Sequence, residues 1–240
     1  GDIGPEDFKE AEDYNIIITL HSLTDMKRYI EDICSTRCHL KIDSGMHRIG
    51  LQLKDLEESI ELVRKIKPEG IYVHYSNSAG LVNLDLSYTN FVRAGISLYG
   101  YKPSHEIGAE GLRPILSLYS EISDIREIEK GEGVSYSHTF ITEDTTTIAT
   151  MPIGYADGYK RLLSNKSRVY VGDKYYNQVG RVTMDQTMLD ITGSNIKLRD
   201  RVELIGEHVT ADELADILGT ISYEILTSIG NRVPRVYLED

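Results

Sequence analysis

The sequence predicts an α/β part followed by a mostly β part, and three observations support this division. Apolar strand-like runs alternate with amphipathic helices in the first part, which is typical of parallel βαβ units. From Arg113 onward, short β-rich runs separated by turn residues follow one another. Tyr101–Arg113, between the two patterns, is rich in glycine, proline and charge. We therefore expect one domain over residues 1–110 and a second over residues 111–240.

The first part contains four predicted strands. They are Asn15–Leu20, Cys38–Asp43, Gly70–His74 and Gly95–Tyr99. A polar segment with a short helix, Gly1–Tyr14, precedes them. Ser22 is expected to cap a helix that runs to about Cys34, and a second helix covers Leu53–Lys67. Both helices carry apolar residues at helical spacing, so each has one face to bury.

The second part contains mostly short strands. The predicted runs are Ile115–Ile125, Gly133–Thr139, Thr145–Met151, Arg168–Val171, Tyr175–Gly180, Met188–Ile191, Arg201–Ile205 and a last one around Arg235–Leu238. One late helix, Thr210–Leu218, opens with a capping box formed by Thr210 and Glu213.

Composition excludes several classes of protein. A net charge of −12 argues against nucleic acid as a partner, because binding it requires a basic face. No apolar run approaches the roughly 20 residues that cross a bilayer, and no signal segment opens the chain, so we expect a cytoplasmic protein. Cys34 and Cys38 are interpreted as cytosolic thiols. The seven histidines form no ligand cluster, so no metal site is predicted.

The stretch Met151–Arg161 is the first candidate for chemistry. Gly154 and Gly158 flank Tyr155 and Asp157 directly after an apolar run, which predicts a strand that ends in a tight loop. Such a loop would present Tyr155, and a phenol can act as a general acid or base. A plain surface turn with two tyrosines is the alternative that the spacing leaves open.

Charged and polar residues also follow the strands of the first part. Lys41 and Arg48 flank a strand end, where Arg48 could hold a substrate carboxylate by two hydrogen bonds, unless the stretch is simply solvated. His74–Gly80 is rich in serine and asparagine, which suits a phosphate or carboxylate but also describes an ordinary loop. Arg93 lies inside an apolar run and needs an acceptor, either a ligand or a structural ion-pair partner.

Two stretches of the β-rich part complete the candidates. Asp185 lies at a strand–turn junction and could be a second carboxylate of the site or an ordinary turn aspartate. Asn231–Arg235 places two arginines beside a proline, which predicts either a clamp or a charged edge strand.

Together and in this order, these stretches resemble the signatures of the alanine racemase family. Lys41–Arg48 looks like its K-x-D-[ST]-G-M-x-R motif, and Asn77-Ser78-Ala79 resembles its N-S-A segment. Matching segments follow at Arg93–Gly100, Gly154–Gly158, Gly180–Asp185 and Arg232–Arg235. The resemblance runs from about Leu40 to the end. It implies a partial TIM-type α/β barrel that binds pyridoxal 5′-phosphate, followed by a mostly β C-terminal domain.

The resemblance also implies a racemase that moves the α-proton between two bases. Tyr155 would be one base and would act on the site of the other protomer of a homodimer. Arg93 would hydrogen-bond the pyridine nitrogen and keep the ring a weak electron sink, which favours racemisation. Lys41 would be the lysine that the family often carbamylates, paired with Arg48, which would face the substrate carboxylate.

The remaining roles are implied in the same way. Ser78 and the backbone around Gly95 and Ile96 would hold the phosphate. His74 and Asn77 belong to the same cofactor-binding stretch. Met184 and Asp185 would reach the substrate from the partner's β-domain.

Two departures concern completeness. The family's Schiff-base lysine lies in a K-A-x-A-Y-G-like run, and this sequence contains no such run. The interval Ile49–Val73 is shorter than its family counterpart by at least one βα unit, and the predicted parallel strands number about half of the eight in such a barrel. We expect that the natural protein has further segments, because a partial barrel exposes unpaired strand edges.

A third departure concerns the substrate. Alanine-specific members carry a tyrosine before the R-V-P-R motif, where this chain has Asn231. Asparagine is smaller and could hydrogen-bond a hydroxymethyl group, so serine is expected beside alanine. This resembles the serine racemases of the vancomycin-resistance type, which supply D-amino acid to the cell wall. Their catalytic part is anchored by a membrane domain, so this chain could be the cytoplasmic part of an anchored protein.

Two alternatives stay open at this point. The chain could be a non-catalytic cofactor-binding relative that lacks the Schiff-base lysine; it would bind cofactor without forming a covalent link. It could also be an amino-acid decarboxylase on the same two-domain plan, which release of carbon dioxide would reveal.

Overall fold

The computed structural model describes residues 4–32, 35–73, 78–79, 85, 87, 89–90, 92–104 and 111–238. The chain divides into two compact units, Gly1–Ala94 and Gly95–Asp240. In the described ranges, no helix is both long enough and apolar enough to cross a membrane.

The first unit is built around a parallel three-stranded sheet in the order β1-β2-β3. Its strands are β1 (Ile18–Leu20), β2 (Cys38–Ile42) and β3 (Gly70–Val73). Its helices are α1 (Pro5–Asp13), α2 (Leu23–Glu31) and α3 (Leu56–Ile66), with a 3₁₀ turn at Leu53–Asp55. The predicted alternation of parallel strands and amphipathic helices is confirmed in this unit.

Local signals explain where the helices of the first unit begin and end. The Ser22 hydroxyl accepts a hydrogen bond from the Asp25 amide at 3.0 Å, as predicted for the cap of α2. Helix α3 ends where Lys67 turns into the left-handed region with φ of 49°. The helices bury one face of the sheet in a core of nine residues. They are Phe8, Ala11, Ile18, Leu20, Met26, Tyr29, Cys38, Leu40 and Leu51.

The opposite face of this sheet is polar. Because side chains alternate along a strand, Thr19, His39, Lys41 and Tyr72 share that face, and Lys41 pairs in register with Tyr72. The outer strand β3 leaves apolar groups uncovered, since the side chain of Ile71 is 58% exposed. The sheet therefore separates an apolar helix-covered face from a polar face that can carry a site.

The second unit contains an antiparallel seven-stranded sheet in the order β4-β12-β9-β10-β11-β8-β5. The strands are β4 (Leu118–Glu121), β5 (Asp124–Ile128), β8 (Thr146–Met151), β9 (Arg168–Val171), β10 (Lys174–Val179), β11 (Thr187–Asp190) and β12 (Arg201–Ile205). A small hairpin pairs β6 (Gly133–Val134) with β7 (Phe140–Ile141). Helices α4 (Ala211–Leu218) and α5 (Ser222–Ser228) follow the sheet.

The sheet of the second unit is curled. Strands β4 and β5 are its two outer strands, yet only Ile122 and Ser123 separate them in the chain. The two edges must therefore meet, which reduces the length of open sheet edge. A core that includes Leu189, Val202 and Leu214 fills the interior. Thr210 caps α4 by accepting from the Glu213 amide at 3.1 Å, as predicted, but the Glu213 carboxylate binds Arg168 and does not complete the predicted capping box.

Several predictions in this unit need correction. Ile115–Ile125 is not one strand, because the chain bends at Ile122 and Ser123 to pass from one sheet edge to the other. Gly95–Tyr99 is not a strand: Ile96–Tyr99 is a 3₁₀ helix, closed by Leu98 N–H donating to the Gly95 carbonyl. Arg235–Leu238 is not a strand either, because Arg235 instead donates to backbone carbonyls of the preceding turn.

Three other points complete the comparison. Helix α5 was missed, because no capping side chain marks its start. Cys38 is buried in β2, whereas Cys34 lies outside the described residues. The domain boundary at residues 110 and 111 stays a prediction.

Candidate active site

A tight loop follows β8 and carries Tyr155. The buried Asp157 carboxylate accepts a hydrogen bond from the Gly154 amide at 2.9 Å. The Asp157 amide donates to the Gly154 carbonyl at 3.1 Å, so the loop closes on itself over four residues. Gly158 then takes a φ of +112°, which few residues other than glycine adopt. The Tyr155 side chain is 42% exposed, and the loop therefore presents a phenol to its surroundings.

A second turn, Thr183–Gln186, is hydrogen-bonded to this loop and supports it. The Tyr155 and Ala156 amides donate to the carbonyls of Thr183 and Met184, both at 3.0 Å. At Gly154 the approach is so close that a Cβ would lie 2.3 Å from the Thr183 carbonyl oxygen. Only glycine fits at that position, because the nearest atoms belong to the backbone of Thr183 and Met184 and cannot rotate away as a side chain could.

The C-terminal segment joins the same place. The Arg232 guanidinium lies 2.6 Å from a carboxylate oxygen of Asp185 and 3.4 Å from one of Asp157. Its hydrogen bond to Asp185, and then the charge of Asp157, raise the pKa of Arg232. The neighbouring Asn231 and Met184 are exposed. The structure thus brings the loop of Tyr155, the turn of Met184 and Asp185, and the Asn231 segment together in one unit.

In the first unit, the end of β2 forms a small pocket. Its lining includes Lys41, Asp43, Met46 and Arg48, so the predicted cations do gather at this strand end. Asp43 organises the loop: its carboxylate accepts from the Gly45 amide at 3.0 Å and from the His47 amide at 3.1 Å. The Gly45 hydrogen bond in particular holds the pKa of Asp43 below its ordinary value. Lys41 is buried, whereas Arg48 is exposed.

Tyr72 belongs to the polar face of the same sheet and was not singled out from the sequence. Its hydroxyl lies 3.2 Å from the Thr19 hydroxyl, and its ring packs edge-on against His39. The guanidinium carbon of Arg93 lies 5.2 Å from the centre of the Tyr72 ring, which is cation–π distance. The alternation of β3 placed Tyr72 on the face of Lys41, and that signal could have found it.

The other cofactor-binding candidates lie in the first unit, in the second unit or outside the described residues. His74 and Asn77 lie outside the described residues. Ser78 is fully buried in the first unit. Gly95 and Ile96 begin the second unit, where Ile96 opens the 3₁₀ helix Ile96–Tyr99. The Ile96 amide donates to no acceptor in the described parts of the chain.

A groove of about 880 Å³ in the second unit was also missed. Thr183 and Gln186 line it, together with Arg126, Tyr136 and His138, but Tyr155 does not. The residues of the groove come from β5, β6, β8 and the Thr183–Gln186 turn, which are separated in sequence, so no local pattern brought them together.

Comparison with known proteins identifies this arrangement of a parallel α/β unit and an antiparallel β unit. Residues 115–237 match the family model described as alanine racemase, C-terminal domain. Residues 1–75 and 52–103 match the model described as alanine racemase, N-terminal domain. The chain belongs to the alanine racemase family.

Individual relatives agree with this assignment. Alanine racemase of Carboxydothermus hydrogenoformans is 34% identical over 98% of this chain and 77% of its own length. That of Coprothermobacter proteolyticus is 46% identical over 86% of this chain and 57% of its own length. For the Clostridium perfringens enzyme the covered share of its length is 48%, so the chain spans only about half of some relatives.

Solved structures show the same fold. Alanine racemase of Clostridium difficile 630 superposes with a TM-score of 0.88 at 34% identity, over 100% of this chain and 75% of that one. Alanine racemase of Bartonella henselae superposes with a TM-score of 0.85 at 26% identity, over 98% of this chain and 77% of that one. The Bartonella structure contains covalently bound pyridoxal phosphate. The predicted fold class, a barrel-type α/β part followed by a β-domain, is confirmed.

One prediction tests the close approach at Gly154. In Gly154→Ala, the new Cβ would lie 2.3 Å from the Thr183 oxygen and 2.4 Å from the Met184 oxygen. The backbone must shift, so we expect a loss of about 1–3 kcal/mol in the free energy of unfolding. Gly230→Ala is the matched control, because its nearest neighbour would lie at an ordinary 3.6 Å. Urea unfolding measures both, and equal effects would contradict the assignment of strain to Gly154.

Proposed function

We propose that the complete protein is a pyridoxal-phosphate-dependent racemase that interconverts the enantiomers of alanine, and of serine as well. The observation that carries this proposal is Tyr155, presented on a rigid loop in a chain of the alanine racemase family. The relatives compared above are alanine racemases. Because the chain covers 48–78% of their lengths, the activity of the whole protein is inferred from that membership.

The donor groups present in the chain fit this cofactor. A guanidinium only donates, so Arg93 suits the lone pair of an unprotonated pyridine nitrogen. Tyr72 beneath Arg93 would hold the guanidinium flat. The buried Ser78 hydroxyl and the unused amide of Ile96 are donors of the kind a phosphate requires. His74, Asn77 and Gly95 complete the proposed cofactor-binding set.

The substrate would be held by its carboxylate. Arg48 is exposed in the loop after β2, and its planar guanidinium can donate two parallel hydrogen bonds to a carboxylate. Lys41, buried in the wall of the same pocket, would become an anion if carbamylated and would then orient Arg48. When bound, pyridoxal phosphate withdraws electrons from the α-carbon, so its proton can be removed.

Two bases would handle that proton on opposite faces of the α-carbon. Tyr155 would be one, and the Schiff-base lysine of the complete protein would be the other. In a homodimer, Tyr155, Met184 and Asp185 of one subunit would complete the site of the other. The 42% exposure of Tyr155 and 53% exposure of Met184 support this proposal, since both are available to a second chain. We place this dimer in the cytoplasm as part of the same proposal.

We further propose that the barrel lacks a unit that its relatives have. The alignment with the Carboxydothermus protein extends over 284 residues, so at least 44 positions face a gap in this 240-residue chain. Residues 52–75 are matched twice by the N-terminal family model, as expected where two successive helix–strand units have been merged into one. A TIM-type barrel has eight βα units in about 250 residues, so one unit takes about 30 residues and the gap has the size of at least one.

The racemase proposal predicts that the full-length protein, supplied with pyridoxal phosphate, converts L-alanine to D-alanine. Chiral chromatography of the product measures the rate. Tyr155→Phe keeps the ring but removes the proton-transferring hydroxyl, so we expect a loss on the order of 10²–10⁴-fold. Carbon dioxide release without D-alanine would instead indicate a decarboxylase. Cofactor binding without turnover would indicate a non-catalytic relative.

The substrate proposal predicts that L-serine is converted at least as well as L-alanine. Asn231 is exposed beside Arg232 at the proposed site, and its amide can both donate to and accept from a hydroxymethyl group. In Asn231→Tyr, we expect the ratio of kcat/KM for serine to that for alanine to fall about tenfold or more. Asn195→Tyr, in a turn of the same unit, is the control. A preference for alanine that Asn231→Tyr leaves unchanged would rule out this role.

A further inference from the structure

Arg232 connects three parts of the chain that are distant in sequence. Its Nη2 lies 2.6 Å from Asp185 Oδ1, in the Thr183–Gln186 turn. Its Nε lies 3.4 Å from Asp157 Oδ1, in the loop of Tyr155. Arg232 itself belongs to the C-terminal segment, so one guanidinium spans the loop and the turn that supports it.

The two carboxylates that Arg232 contacts act on opposite sides of Tyr155. Asp157 follows Tyr155 in the loop and closes it through its other oxygen, which accepts from the Gly154 amide at 2.9 Å. Asp185 belongs to the turn whose carbonyls accept the Tyr155 and Ala156 amides at 3.0 Å. A change at Arg232 would therefore alter both supports of the Tyr155 backbone at once.

Within the described residues, the Tyr155 side chain is held only through the backbone of its loop. Among the described residues, no hydrogen bond involves its hydroxyl, and the ring is 42% exposed. In the described part of the chain, the position of the phenol is therefore set by the backbone of its loop. A shift of the loop by even about 1 Å would move the phenol out of line with a reacting proton, which can lower a rate about 100-fold.

Stability does not explain this ion-pair network. The Arg232 side chain is 55% exposed, and exposed ion pairs contribute little to the free energy of unfolding. Without the guanidinium, however, two negative carboxylates would face each other across the loop and the turn, and repulsion would separate these segments. The network is therefore better suited to fixing the distance between the Tyr155 loop and the Thr183–Gln186 turn than to stabilising the fold.

We propose that Arg232 is a positioning residue for Tyr155. By bridging Asp157 and Asp185, Arg232 holds the phenol in the position from which Tyr155 exchanges the α-proton. This role rests on the proposed racemase function. Arg232 does not touch the reacting atoms and acts through the backbone of the loop.

The test uses the full-length protein with Arg232→Gln, which removes the charge but keeps a polar side chain. Arg199→Gln is the matched control, since Arg199 forms an exposed ion pair with Glu121 at 2.9 Å in the same unit. Each variant is incubated in D₂O separately with L-alanine and with D-alanine, and NMR follows deuterium entry at the α-carbon.

In a two-base reaction, each enantiomer loses its proton to a different base. We expect Arg232→Gln to slow deuterium entry into one enantiomer, the one served by Tyr155, about tenfold or more. Entry into the other enantiomer should change less than about twofold, and Arg199→Gln should alter neither. An equal loss for both enantiomers, or no loss, would overturn the role, because general damage to the protein affects both bases alike.

A second measurement separates this inference from the proposed function. If the unsubstituted protein exchanges neither enantiomer, the racemase proposal fails, and amide hydrogen exchange decides the structural role. We expect the Tyr155 and Ala156 amides to exchange about tenfold faster in Arg232→Gln than in Arg199→Gln, at an unchanged unfolding midpoint. Unchanged exchange of these two amides would overturn the inference, whatever the activity.

Discussion

The buried carboxylate of Asp157 is the interaction on which the candidate site depends. One of its oxygens accepts the Gly154 amide at 2.9 Å, and its backbone carbonyl accepts the Gly230 amide at 3.0 Å. A single residue therefore closes the Tyr155 loop and attaches the C-terminal segment to it. In a buried setting these hydrogen bonds are strong and costly to leave unmade, so they favour this conformation of the loop. The direction of the exposed phenol therefore depends on the hydrogen bonds that buried Asp157 accepts. That combination of a fixed backbone and an accessible side chain suits a base that must reach a substrate held by another chain.

The first unit is a three-stranded parallel sheet with one helix-covered face and one polar face. Strands β2 and β3 pair directly, with Lys41 opposite Tyr72, in a part of the chain where the N-terminal family model matches residues 52–75 twice. If two helix–strand units have merged here, as we propose, the result can still pair, because parallel strands require only matching backbone and an apolar helix-facing side. Ile71, on the outer strand β3, is 58% exposed on the helix-facing side of the sheet. The polar face, with Lys41, Tyr72 and Arg93, keeps the character of a barrel interior.

Much of the fold followed from sequence pattern, because helical spacing and caps act over a few residues. Ser22 and Thr210 are examples, since each caps the helix it was expected to cap. The loop of Tyr155 also followed, from two glycines placed after an apolar run. Pairings over long separations could not be predicted: nothing local marks Arg232 as the partner of both Asp157 and Asp185. Gly95–Tyr99 was mistaken for a strand because its apolar residues are compatible with both a strand and a 3₁₀ helix. The left-handed turn at Gly100, which ends the helix, distinguishes the two. The cofactor-binding and substrate-binding roles depended on resemblance to the family rather than on spacing.

The central claim is that this chain belongs to a complete enzyme in which a lysine and Tyr155 face one substrate. Intact mass of the protein purified from its natural source, before and after borohydride reduction, tests it most directly. We expect a mass well above the 27.1 kDa of these 240 residues, and reduction should fix a pyridoxyl phosphate group to one lysine. A mass of 27.1 kDa with no added group would contradict the claim, because Tyr155 would then have no second base to work with.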